Sequence, residues 1–149
     1  MYRTQQEFVL HVLDTAQDLT LATIRPDGYP QATTVSFAHE DMLLYAGIGS
    51  RSQKAENIRR NGKVSLTINL PYKDWREIRG LSMSAIAELL DEPEEARLAA
   101  ACLERRFPAV SEWCGPDLGH DVAFVRIRPQ MVSVIDYSQG FGHTELVSA

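Results

Sequence analysis

The most constraining feature of this sequence is a series of short segments in which apolar and polar residues alternate. Residues 64–70 show it most clearly, with single polar residues between Val64, Leu66, Ile68 and Leu70. Such alternation is typical of half-buried β-strands. Similar segments occur at residues 19–24, 31–38, 42–48, 80–90, 122–128 and 131–137. The sequence therefore predicts about seven strands.

Most of these segments are joined by connections too short for parallel strands, which need a crossover of about a dozen residues or more. The first connection contains Pro26-Asp27-Gly28, in which proline presets φ and glycine supplies a positive φ for a tight turn. A flat antiparallel sheet of this size would leave exposed edges unless it curled shut. The predicted fold is mainly β, a small antiparallel split β-barrel with flanking helices.

Three other segments have the spacing of apolar residues expected for helices. Residues 4–17 carry an apolar stripe. Near the start of residues 50–62, Ser50 or Ser52 can cap a helix. Residues 91–106 begin with acidic residues and Pro93, which suit a helix N-terminus. We expect these helices to lie on the outside of the barrel.

Composition narrows the class of protein. The chain has 149 residues, 44% of them hydrophobic and 23% charged, which predicts one folded domain spanning residues 1–149. The net charge of −5 argues against nucleic-acid binding, and no apolar run is long enough to span a membrane. Cys102 and Cys114 form no CxxC pair, so we expect no metal site and a reducing, cytoplasmic location.

Positive charge is concentrated in one place. Residues 51–63 contain five basic side chains and one acid, so the rest of the chain carries a net charge of −9. A helix start offers free backbone N–H groups and a dipole that favours anions. Arg51, Ser52 and Lys54 stand at that start, whereas Arg59 and Arg60 fall near the helix end, where solvated cations are common. The pattern predicts a phosphate site after residue 50.

Several segments together match a known pattern in order and spacing. They are residues 19–24, the turn at 26–30, the strand at 31–36, Ser52-Gln53-Lys54 followed by Asn57-Ile58-Arg59-Arg60-Asn61, residues 79–88, and Arg126-Ile127-Arg128-Pro129. In these segments, which extend over nearly the whole chain, the sequence resembles the pyridoxamine 5′-phosphate oxidase-like family of flavin-binding split barrels.

That resemblance implies an FMN held at the interface of a homodimer. Ser52, Gln53 and Lys54 would bind its phosphate with help from Arg51. The isoalloxazine ring would lie along the second strand, with the backbone of a neighbouring strand and a further stretch of chain close by. These remaining cofactor-binding positions are Thr33, Thr34, Val35, Ser36, Ile48, Asn69 and Gly80.

The sequence also departs from that family. True pyridoxamine-phosphate oxidases have Arg and Lys where this chain has Gln31 and Ser36, and an Arg-x-His where it has Phe141-Gly142-His143. A phosphorylated substrate needs a paired cation, so we expect a changed small-molecule substrate rather than pyridoxamine phosphate. The expected activity is that of an FMN-dependent oxidoreductase. A non-enzymatic flavin-binding or stress-related module and a relative using a deazaflavin or haem remain open.

A few other side chains could carry chemistry. Tyr137, Phe141 and His143 are candidates for contact with the substrate or the flavin ring. Cys102 is expected in the core, and no residue is assigned a catalytic role. The remaining aromatic and histidine residues are expected to be structural, the tryptophans as covers over the core: Trp75, Trp113, His11, His39 and His120.

Overall fold

The computed structural model describes residues 4–109 and 121–147. Within these ranges the main elements are, in chain order, α1 (Gln5–Thr15), β1 (Asp18–Ile24), β2 (Pro30–Glu40), β3 (Leu43–Gly49), α2 (Gln53–Arg60), β4 (Lys63–Asn69), β5 (Arg79–Leu89), α3 (Pro93–Arg106), β6 (Val122–Asp136) and β7 (Thr144–Val147). Two short 3₁₀ helices, Trp75–Glu77 and Tyr137–Gln139, follow β4 and β6.

The strands form one antiparallel sheet in the order β3-β2-β1-β4-β5-β6-β7. β3 also pairs with β6, from Leu44 opposite Ile127 to Gly49 opposite Val122. This pairing closes six strands into a barrel, and β7 continues the sheet beyond it along the second half of β6. The predicted β-barrel with flanking helices is confirmed.

Alternation along the strands fills the barrel interior. In β4, every second residue is buried, and the same applies to most of β5. The inward side chains are large and apolar, as a barrel of this size requires for close packing. Fully buried examples from the six barrel strands are Leu21, Phe37, Leu44, Leu66, Ile68, Leu81, Val125 and Ile127.

The last part of the chain differs from the prediction. The two strands expected on either side of Pro129 form one strand, β6, of 15 residues. The register against β5 shifts between Ser84 and Ala85, so that Gln130 is an extra residue beside the proline. A bulge at this point tolerates a residue without an N–H. The end of the described chain forms a further strand, β7, where the sequence predicts no strand. Its four residues are too few to show the alternation of apolar and polar residues typical of a strand.

The helices cover parts of the barrel. α1 buries Phe8, Val9, Val12 and Leu13. α3 packs against β2 and β3 through Cys102 and Leu103, which confirms Cys102 as a core residue, and burial raises the pKa of its thiol. None of the helices in the described ranges has the length and apolar character needed to cross a membrane.

Gly80 shows where the backbone leaves no room for a side chain. It pairs with Asn69 across β4 and β5, and an added Cβ would lie 2.4 Å from the Ile68 carbonyl oxygen and 2.8 Å from Asn69 Oδ1. We predict that Gly80→Ala destabilises the fold by about 1–3 kcal/mol, measured by urea denaturation. Gly47→Ala is the control, because the nearest neighbour of its Cβ would be Val122 Cγ1 at 3.5 Å, an ordinary van der Waals distance. Equal midpoints for the two variants would contradict this account.

Candidate functional site

A groove runs over the outer surface of the barrel where β2, β3 and β6 lie side by side. Its volume is about 550 Å³, within the range of roughly 300–1,000 Å³ typical of small-molecule sites. Its lining combines residues of three strands with residues of α2, of α3 and of the chain just after α3. They are Thr34, Val35 and Ser36 of β2, Gly47, Ile48 and Gly49 of β3, Val122 and Phe124 of β6, Leu103 of α3 with Phe107 and Ala109 beyond it, and Lys54 of α2.

Two glycines keep the β3 surface of this groove open. Gly47 and Gly49 face outward, whereas Ile48 between them is buried. A Cβ on Gly47 would sit 3.5 Å from Val122, 3.7 Å from Phe124 and 3.9 Å from Leu103. A methyl group would therefore fit the fold but would occupy the groove. Glycines in a strand often mark a place where a ligand approaches the backbone closely.

The N-terminus of α2 borders the groove through a well-formed cap. Ser52 Oγ accepts a hydrogen bond from the Ala55 N–H at 3.2 Å and donates one to the Gly49 carbonyl at 2.7 Å. The cap ties the helix start to the end of β3, and Lys54 in the first turn lines the groove. Backbone N–H groups, the helix dipole and an ammonium group therefore come together beside an open cleft.

The other basic residues of the cluster have different surroundings. The Arg51 side chain is 90% exposed, with Nη2 3.3 Å from Asp121 Oδ1, and it does not line the groove. Arg59 donates to the Ser50 carbonyl at 2.9 Å, which ties the helix to the loop before it. Arg60 is exposed. Among the basic residues at 51–60, Lys54 is therefore the one placed to meet a ligand in the groove.

The structure groups only some of the residues predicted to bind the cofactor. Thr34, Val35, Ser36, Ile48 and Lys54 line the groove together. Others lie beside it in the chain, namely Thr33 on β2 and Arg51, Ser52 and Gln53 around the start of α2. The remaining predicted residues do not line it: Asn69, Gly80, Tyr137, Phe141 and His143.

Three aromatic side chains form an exposed patch of their own, which we call the aromatic patch: Trp75, Tyr137 and Phe141. The Phe141 ring centroid lies 5.7 Å from that of Trp75 and 5.5 Å from that of Tyr137. Phe141 is 82% exposed and Trp75 is 51% exposed. The expectation that Trp75 covers the core is wrong, because its short 3₁₀ helix packs beside the one at 137–139 instead.

Two histidines of the described ranges, His39 and His143, have carboxylate partners in different parts of the fold. His143 Nε2 lies 2.9 Å from Glu145 Oε1, and His39 Nε2 lies 2.7 Å from Asp14 Oδ1. In the described part of the chain, no group of three His, Cys, Asp or Glu side chains could hold a metal ion. Trp113, Cys114 and His120 lie outside the described residues.

Two features of the site escaped the sequence analysis. The sequence pattern predicts only a strand at Gly47, although the spacing Gly47-Ile48-Gly49 puts two glycines on one face of it. The apolar side chains from α3 and β6 come from distant parts of the chain, and no local pattern marks them.

The sequence of the chain matches a known protein family. The sequence model of the pyridoxamine 5′-phosphate oxidase family matches residues 6–136. The chain belongs to the pyridoxamine 5′-phosphate oxidase family. No curated protein matches its sequence.

Solved structures agree with this family fold. A haem-binding protein from Mycobacterium smegmatis superposes with a TM-score of 0.82 at 16% identity over 99% of this chain, which spans 59% of that protein. A haem storage protein from Vibrio cholerae gives 0.73 at 20% identity, covering 87% of this chain and 92% of that one. A conserved hypothetical protein from Mycobacterium tuberculosis gives 0.77 at 25% identity, covering 100% and 95%.

Asp136 caps the short 3₁₀ helix at 137–139, which carries Tyr137 of the aromatic patch. Its carboxylate accepts from the Ser138 N–H at 3.0 Å and lies 3.4 Å from Arg79 Nε. Burial alone would raise the pKa of this carboxyl, but hydrogen bonds from Ser138 and Gln139 and the charge of Arg79 outweigh it. The pKa is therefore below its usual 3.8.

A lowered pKa in the folded state means that the ionised carboxylate stabilises the fold at neutral pH. That stability is lost as the pH falls through the folded-state pKa, below 3.8. We predict that Asp136→Asn, which keeps a capping side chain, costs about 1 kcal/mol at pH 7. The difference from the parent should shrink toward pH 3, measured by urea denaturation at both pH values. A difference independent of pH would contradict the charge-based explanation.

Proposed function

We propose that this chain binds FMN, with the phosphate at the start of α2 and the ring in the groove, and that it acts as an oxidoreductase on a small molecule. The observation that carries the proposal is the position of Lys54. It is a cation in the first turn of a capped helix and lines a cleft of cofactor size. Membership of the pyridoxamine 5′-phosphate oxidase family supports the choice of a flavin phosphate.

The residues of the groove suit such a ligand. Lys54 and the free N–H groups of the first helical turn would bind the phosphate, and the Ser52 cap would keep that turn ordered. Thr34 and Ser36 offer hydroxyls for polar atoms of the ring, and Phe124 offers apolar contact. The space above Gly47 leaves room for a flat group against β3.

A bound flavin would supply the hydride or electron transfer, while the protein binds, orients and shields the reactants. Neither Gln31 nor Ser36 supplies a cation on β2. A substrate whose recognition depends on a phosphate is therefore disfavoured here, since a phosphate needs a paired charge. We propose a neutral or cationic small molecule as substrate.

Haem is the second candidate, because two proteins of similar fold are described as haem-binding or haem storage proteins. Haem iron requires an axial ligand such as His, Cys, Met or Tyr. Among the described residues, none of these types lines the groove, which favours flavin there. The observation in favour of haem is the pair of His143 and Glu145, because a carboxylate commonly orients a ligating imidazole.

We also propose that two copies of the chain form a homodimer. The outer face of β1, β4 and β5 bears small residues such as Ala22, Ser65 and Ser84 around a second cleft of about 490 Å³. Ile86 and Met131 are exposed nearby. Asn69, Gly80 and the aromatic patch do not line the groove, so they could contact a flavin only if a second copy brought them to it.

The deciding experiment is an absorption spectrum of the purified protein after separate addition of FMN and haemin. Retention of a flavin spectrum through gel filtration, at a mass of twice 16.7 kDa by light scattering, supports the proposal. A Soret band without flavin retention favours the haem alternative. Bleaching of bound flavin by reduced nicotinamide without oxygen would support an enzyme over a non-enzymatic flavin module.

We predict that Lys54→Ala weakens FMN binding selectively. A charge-assisted hydrogen bond contributes roughly 1.5–3 kcal/mol, so the Kd for FMN should rise about 10- to 150-fold. The Kd for riboflavin, which lacks the phosphate, should stay the same. Fluorescence titration measures both. Arg60→Ala is the matched control, because Arg60 is an exposed cation on the same helix. Equal losses for the two ligands would argue against a phosphate contact.

Gly47→Ala should give a different pattern. Its methyl group would occupy the groove near Val122 and Phe124. Overpacking costs about 1–3 kcal/mol, so the Kd values for FMN and for riboflavin should both rise about 5- to 150-fold. The urea midpoint should be unchanged, which separates a filled site from a damaged fold. Unchanged binding of both ligands would place the ring elsewhere.

A further inference from the structure

We infer that Asn57 is a positioning residue that fixes the phosphate-binding end of α2 against β2. The inference rests on the proposed function, because it gives this residue a role in the same site. Asn57 is 0% exposed, although it lies on a helix at the surface of the barrel. Its side chain does not line the groove.

The Asn57 amide joins three elements. Nδ2 donates to Thr23 Oγ1 on β1 at 2.9 Å and to Gln31 Oε1 on β2 at 3.2 Å. Oδ1 accepts from Gln53 Nε2, in the first turn of α2, at 2.8 Å. Thr23 and Gln31 are themselves opposite each other in the β1–β2 ladder. One side chain therefore connects the helix start to a registered pair of strand residues.

These connections join the two walls of the groove. Gln31 stands near the beginning of β2, and the same strand continues to Thr34 and Ser36 in the groove. Gln53 directly precedes Lys54, the proposed phosphate ligand. Because hydrogen bonds depend strongly on distance and angle, the Asn57 network sets where Lys54 stands relative to the β2 wall.

Apolar packing alone would not fix the direction of α2 on the barrel. The helix has eight residues, too few to be stable in isolation, and its buried apolar side chains are Ala55 and Ile58. An asparagine in a helix interior lowers helix propensity, and its burial is costly unless its polar atoms are bonded. In this network Nδ2 makes two bonds and Oδ1 makes one. An apolar residue could fill the space but could not fix the direction of the helix.

Other hydrogen bonds of α2 remain close to its own chain segment. Ser52 bonds to Gly49 and Ala55, and Arg59 bonds to Ser50. These contacts order the turn from β3 into α2. They do not join the helix to β2, which is the task that the Asn57 amide performs.

The test compares the affinities for FMN and riboflavin in three variants of the full chain. Asn57→Ala removes the whole network. Thr23→Val removes one acceptor by replacing a hydroxyl with a methyl group, at a buried position on β1 outside the groove. It takes away one hydrogen bond of the network and leaves the Asn57 side chain in place. Ile58→Ala is the matched control, because it leaves a cavity next to Asn57 on the same helix but leaves the polar network intact.

The expected result is a loss of the preference for FMN over riboflavin. The ratio of the Kd for riboflavin to the Kd for FMN should fall about three- to tenfold in Asn57→Ala and by a smaller factor in Thr23→Val. A change of this size corresponds to one or two misplaced hydrogen bonds. In Ile58→Ala the ratio should match the parent even though the urea midpoint drops. A purely structural role for Asn57 would lower the midpoint and leave the ratio unchanged.

Two other results would be decisive. A parent-like ratio in both Asn57→Ala and Thr23→Val, with FMN still bound, would overturn the positioning role while the proposed phosphate site stands. A parent protein that binds riboflavin as tightly as FMN would refute the phosphate site itself, and the positioning role with it. The parent measurement therefore separates failure of the inference from failure of the proposed function.

Discussion

The pairing of β3 with β6 is the interaction on which the rest of the structure depends. Residues 44–49 meet residues 122–127 and turn an open sheet into a barrel without a free edge on either strand there. The groove lies over this seam, with lining residues from both strands. Closure of the barrel and formation of the groove are therefore one event. A ligand of the groove would bind the closed chain and not the unfolded one, and would stabilise it by mass action.

The functional proposal depends on a division of tasks among a few residues. The glycines of β3 provide space, the capped start of α2 provides donors, and Lys54 provides charge. None of these features is specific alone. Each lies on a different element, so the site depends on how rigidly α2 and β2 are held together. The buried Asn57 amide supplies a fixed connection between them.

Much of this could be predicted from sequence because the signals are local. Alternation gave the strands of the barrel, and a serine before a basic segment gave the start of α2. The errors arose where a residue's role depends on a distant partner. Pro129 predicts a break between two strands, but a bulge formed against β5 accommodates it within one strand. The sequence places Asn57 in a helix and in a family-like segment but does not show its bonding role, because its partners Thr23 and Gln31 belong to another hairpin.

One edge of β6 has two different partners. Its first half pairs with β3 within the barrel, whereas residues 132–135 pair with the four residues of β7. The seven strands thus comprise a closed barrel and a four-residue extension, whose Val147 is buried in the main core. Within the described ranges, the sheet ends at β7, since β3 at its other end pairs with β6. The backbone N–H and C=O groups on the outer edge of β7 are therefore the place where a further strand could extend the sheet.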